Sequence, residues 1–143
     1  MIAKYNITVN ENKKNLKQIK QDYNELIKLG IRDVHKNNFE GAAKNFLNAI
    51  NINSKKYQAF INLSNVYILQ NKTKKGIEVL KKYLTTNNYQ TNIVNHLGII
   101  CLKYSYENDL KELFKYLDLD LKSHKNKKYF FLYYLHGKFL QKK

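Results

Sequence analysis

The sequence predicts an all-α chain built from repeated helical hairpins, on two observations. Key residues recur at steps of 34 positions: Leu29, Leu63 and Leu97; Leu26, Phe60 and Val94; Gly30, Ser64 and Gly98; Phe46, Leu80 and Phe114; Ala49, Tyr83 and Leu117. Each step also holds two stretches in which apolar residues fall three and four apart, separated by short polar connections. Two helical patterns within a period of about 34 residues mark a helix–turn–helix solenoid, in which each hairpin hides its apolar face only against its neighbours.

Residues 1–9 show no strong period and are expected to fray or to lie against the first repeat. From Asn12 onward Leu16, Ile19, Tyr23, Leu26, Ile27 and Gly30 describe an amphipathic helix, with Lys13, Lys14, Lys17 and Lys20 turned outward. Asn37-Asn38 supplies a tight turn, because asparagine tolerates left-handed backbone. A second helix over about Phe39–Ile50 carries Ala42, Phe46 and Ala49 on one face, and Asn51–Ser54 provides loop residues and an N-cap for the next element. Unit two repeats the plan. A helix over roughly Lys56–Gln70 shows Phe60, Leu63, Ser64 and Tyr67, the chain turns at Asn71-Lys72, and a helix over roughly Thr73–Thr85 presents Gly76, Leu80 and Tyr83. In unit three Val94, Leu97, Gly98 and Cys101 line one helix, Ser105–Asn108 turns, and Leu110, Phe114 and Leu117 line the last. Lys122–Lys128 is a basic break. Tyr129–Leu140 is apolar around nearly its whole circumference, which suits either a cap on the third unit or a second buried surface, in a dimer or at a membrane.

Composition bounds the function. At 143 residues with 43% hydrophobic content the chain holds one domain with a real core. No apolar run approaches the roughly 20 residues that span a bilayer, and the start is too short in apolar residues for a secretory signal. A single cysteine, Cys101, excludes an intramolecular disulfide framework and fits a reducing compartment, so cytoplasm is the expected location. The net charge of +15 comes almost wholly from lysine, Arg32 being the only arginine. Arginine is the residue favoured for bidentate phosphate and base contacts. The preferred reading is therefore compositional, with lysine filling solvated positions, and nucleic-acid binding is the less favoured alternative.

Small residues at Gly30, Ser64 and Gly98, answered by Ala42 and Gly76 on the following helix, allow close approach of two helix axes. With these positions in register, the chain resembles a tetratricopeptide-repeat (TPR) protein over about residues 23–124. The resemblance implies a right-handed α–α solenoid of three TPR-like hairpins (23–56, 57–90 and 91–124), with a partly helical N-terminal extension (1–22) and a C-terminal capping helix (125–143). Departures are Asp33, where Tyr67 fits the pattern and Cys101 is a reasonable substitute; Leu110 in place of a small residue, which is expected to splay or shift the third hairpin; and Ser54 and Asn88 where such units commonly carry proline.

What the resemblance implies for function is a groove, lined by the first helix of each unit, that receives a peptide. Carried over by register, it presents Asn24, Lys28, Ile31 and His35; Gln58, Asn62, Asn65 and Leu69; and Asn92, Asn95, His96, Ile99 and Lys103. Carboxamides both donate and accept, so an asparagine strip suits the main chain of an extended peptide, although asparagine also follows from composition. The subtype that clamps acidic chaperone tails is not expected. Its positions fall at Ile27, Ile31, Asn62, Asn92 and His96, of which only Asn62 fits. A further likeness, to the repeat regions that precede glycosyltransferase or sulfotransferase domains, implies an accessory scaffold.

Catalysis is not expected, and neither is a metal or cofactor. His35, His96, His124 and His136 lack helix-spaced ligand partners, one cysteine gives no zinc pattern, and five glycines form no phosphate loop. Asp109, Glu112, Asp118 and Asp120 share a helix with Lys111, Lys115 and Lys122 and are read as surface ion pairs along it.

Overall fold

The computed structural model describes residues 22–121, together with positions 137 and 141. Most of the predicted N-terminal extension and of the predicted capping helix, including Tyr129–Leu135, therefore lies outside the described residues. Among the described residues every regular element is helical: α1 (22–35), α2 (Phe39–Ile52), α3 (Tyr57–Leu69), α4 (Thr73–Thr86), α5 (Thr91–Lys103) and α6 (Glu107–Leu121). Each helix from α2 onward packs on its successor, and α3 also touches α5.

The 34-residue step is written in the backbone. Helices α1, α3 and α5 end at 35, 69 and 103, and α2, α4 and α6 begin at 39, 73 and 107. Between them the chain turns through left-handed conformation at Asn37 (φ 58°), Asn71 (φ 60°) and Ser105 (φ 59°). One hydrogen bond accompanies all three turns: Asn38 N–H to Asp33 O, Lys72 N–H to Tyr67 O, and Tyr106 N–H to Cys101 O, at 2.9, 2.8 and 2.9 Å. This six-to-one bond satisfies a carbonyl that the helix end would otherwise leave bare. Asparagine suits the first two turns. The third departs from the expectation of a turn over Ser105–Asn108, because Glu107 and Asn108 already belong to α6 and a serine takes the left-handed position.

Close approach within hairpins rests on the expected small residues. A Cβ on Gly76 would stand 2.9 Å from the carbonyl oxygen of Ser64, and one on Gly30 would collide with the Phe46 ring. Ala42 is fully buried. At the corresponding place in the third hairpin Leu110 is also buried, and α5 and α6 remain in contact around it.

The apolar core runs as two adjoining clusters that meet at α3. Tyr23, Ile27, Ala42, Phe46 and Ala49 pack with Ala59, Leu63 and Val66 of α3 on one side. On the other, Phe60 of α3 joins Ile77, Leu80, Tyr83, Val94, Leu97 and Leu117. A helix buried from two directions is apolar around much of its circumference, which is what YQAFINLSNVYIL provides.

The connection from α2 to α3 is tied by two tyrosines, one from α1 and one from α4. Helix α3 starts at Tyr57, and its N-cap residue, Lys56, makes no side-chain cap bond, against the expectation that Asn51–Ser54 would supply one. Its third amide, Ala59 N–H, instead donates to the hydroxyl of Tyr23 on α1 at 3.3 Å. Tyr83 packs edge-on against Phe60, with ring centroids 5.0 Å apart, and donates its hydroxyl proton to Lys55 O at 2.9 Å. Burial raises the pKa of both phenols above 10.0. Asp33, out of pattern in the sequence, accepts a 2.8 Å bond from Asn45 Nδ2 and so links α1 to α2.

Candidate functional site

Helices α1, α3 and α5 are neighbours in sequence order, through Tyr23 and Ala59 in one direction and the α3–α5 contact in the other. They carry all the residues expected to line a binding groove. Three of these are large, apolar and exposed: Ile31 at 41%, Leu69 at 52% and Ile99 at 46%. Lys28 and Asn92 are exposed as well, while Asn62, Asn95 and His96 are half-buried.

The structure brings two of the expected residues into contact. His96 Nε2 lies 2.8 Å from Asn65 Oδ1 across the α3–α5 junction. An amide oxygen only accepts, so Nε2 carries the proton in this bond. Burial pulls the His96 pKa below 6.5, which keeps the imidazole neutral near neutral pH. No hydrogen bond joins the other expected residues to one another among those described. Asn62 and Asn95 instead bury atoms without a partner, the amide nitrogen of one and the amide oxygen of the other. Each buried unmade bond of this kind costs about 1–3 kcal/mol.

Charge is sparse on two of these three helices, the exception being α1 with Asp22, Glu25, Lys28, Arg32 and Asp33. Helix α3 holds no Asp, Glu, Lys or Arg, and α5 holds only Lys103 near its end. The carboxylate of Asp33 is bound to Asn45. Cys101, placed by the sequence on the apolar side of its helix, is buried and free, and burial is the largest cause that pushes its thiol up to about 12. A thiol so placed is almost wholly protonated at neutral pH and makes a poor nucleophile.

Two of the acidic residues of α6, Asp109 and Glu112, find a different partner from the one expected, while the side chains of Asp118 and Asp120 lie outside the described residues. Lys81 of α4, and not Lys111 or Lys115, reaches Asp109 at 3.1 Å and Glu112 at 2.6 Å. These bonds raise the Lys81 pKa, the Glu112 contact most. Beside this triad lies a feature that sequence reading missed, a cavity of about 150 Å³ bounded by α4, α5 and α6. Its lining side chains come from three helices, between Lys81 and Tyr116 in the chain, and no local motif marks them.

Among the described residues no group of three or more His, Cys, Asp or Glu is arranged to hold a metal ion, and no helix is long and apolar enough to cross a membrane. The chain matches no protein-family model and no curated protein.

Proposed function

We propose that the chain is a non-catalytic protein–protein interaction module: a short right-handed array of TPR-like hairpins, acting in the cytoplasm, that binds a peptide segment in the groove lined by α1, α3 and α5. The observation that carries this reading is the exposure of Ile31, Leu69 and Ile99 on helices of one class, beside Asn62, Asn65, Asn92 and Asn95. Apolar side chains left to water on one face favour a partner that covers them. Rotation of the Asn62 and Asn95 carboxamides outward would give an extended main chain one donor and one acceptor, and would relieve the unmade bonds. Lys28 and His96 lie one register step either side of Asn62 and would border the same strip.

Capture from the native host, followed by mass spectrometry, identifies the partner. The double variant Asn62→Ala/Asn95→Ala should then weaken that partner at least tenfold with helicity unchanged. Undiminished binding by the double variant would remove the groove from the reading.

A second reading, a polyanion-binding surface, draws on α4. Lys72, Lys74, Lys75 and Lys82 are exposed there, and among the described residues Lys81 is the one cation in an ion pair. Counterion release makes such binding fall steeply with salt. Absence of RNA retention in a filter assay at low ionic strength would exclude it.

A further inference from the structure

The cavity between α4, α5 and α6 shares only α5 with the peptide reading, and the α5 residue that lines it, Leu97, is not one of the groove residues. Its floor is Leu97 and Leu113, both buried, with Leu84 half-buried beside them. Its lip is Thr85, Glu112 and Tyr116, all exposed, so the space opens to solvent. At the rim the Lys81 ammonium sits between the carboxylates of Asp109 and Glu112.

The preceding junction offers an internal comparison. One repeat earlier, the positions of Lys81, Asp109 and Glu112 are held by Leu47, Lys75 and Glu78. The ion triad is thus particular to the second junction.

Size and charge restrict what fits. An apolar space of about 150 Å³ accepts a single benzene-sized ring. The three rim groups sum to one net negative charge, on a chain whose overall charge is +15. A cation is favoured at that rim over an anion, which would meet two carboxylates at close range.

We propose that this cavity is a binding site for a small aromatic amine, its ring seated on Leu84, Leu97 and Leu113 and its ammonium shared between Asp109 and Glu112. The ligand adds a second cation to a triad that holds one cation and two anions, and completes its charge balance. Tyr116 closes one side of the ring, and Lys81 keeps its contact with the carboxylates from the other.

The probe is 2-phenylethylammonium, titrated into the full chain carrying 13C-labelled leucine and isoleucine methyls. Saturable shifts are expected at Leu84, Leu97 and Leu113, with Ile31 and Ile99 unmoved. Toluene and phenylacetate should bind at least fivefold more weakly. Thr85→Trp, a plug at the exposed lip, should abolish the shifts, and Glu112→Gln should weaken the amine but not toluene. Both variants alter exposed positions, and circular dichroism identical to the parent certifies their fold. No saturable shift, shifts that persist in Thr85→Trp, or equal affinity for amine and toluene would each overturn the proposal. So would nuclear Overhauser contacts, in the ligand-free protein, between Leu97 methyls and the rings of residues 129–134, since they would show the space filled by the chain itself.

Discussion

Ser64 and Gly76 meet where α3 and α4 come closest, and each is under a different constraint. The Ser64 hydroxyl is buried without a hydrogen-bond partner. Ser64→Ala removes an unsatisfied group while keeping the small volume, so stability should stay level or rise by about 1 kcal/mol. Gly76→Ala brings a methyl to 2.9 Å from a backbone oxygen that has little freedom to retreat. Alanine's helix propensity offers roughly 1 kcal/mol in return, and overpacking of about 1–3 kcal/mol should outweigh it. Thermal melts of the two variants should therefore move apart. A Gly76→Ala protein more stable than the parent would place the axes farther apart than described. His96 gives a pH test. Because its pKa is lowered in the fold, the unfolded chain binds the proton more readily, so stability is full above about pH 6.5 and falls as pH drops toward the folded value. Asn65→Asp sets a carboxylate beside the ring and should lift the imidazole midpoint, read by NMR titration, above its parent value.

At the scale of elements, the turns and the tyrosine link are the sensitive places. Ser105 holds a left-handed conformation that costs a serine more than an asparagine or glycine. Ser105→Asn should add about 0.5–1 kcal/mol of stability, whereas Asn37→Ala should subtract a similar amount. Tyr23→Phe keeps the packing and deletes the acceptor for Ala59 N–H, at a cost of about 1–2 kcal/mol. Hydrogen exchange at Ala59 should accelerate more in this variant than at any other α3 amide. These elements also show what a sequence can yield. Turns at Asn37 and Asn71 are legible because the residue type itself tolerates the conformation. At Ser105 the turn is legible from the spacing of 34, but the left-handed backbone is not, since serine carries no such signal. The cap on α3 is illegible for another reason: its acceptor lies 36 residues upstream, beyond any local motif.

Among the described residues the repeat period told which helices pack in succession, because helices of like pattern bury their faces on their neighbours. The expected site residues fell on α1, α3 and α5 for the same reason. What the period could not tell is pairing across units. Lys81 meets Asp109 and Glu112 from 28 and 31 positions away, and lysines nearer in sequence looked equally suitable. Nor could it reveal a cavity whose lining comes from three separate helices, α4, α5 and α6. Leu80, fully buried in the cluster shared by α3, α4, α5 and α6, is the natural test of cohesion. Leu80→Ala should cost about 2–5 kcal/mol and lower the denaturant midpoint of all six helices together, as measured by circular dichroism and tyrosine fluorescence on one sample. Transitions that separate would mean that the units unfold singly.

The bond from Ala59 to the Tyr23 hydroxyl also sets an order on synthesis. A nascent chain that has released only its first hairpin holds a phenol whose mate has yet to leave the ribosome, so that hairpin waits on its successor for completion. Ribosome-bound chains that have emerged only short of Ala59 should leave α1 and α2 open to protease, and chains that have emerged beyond Leu69 should protect them.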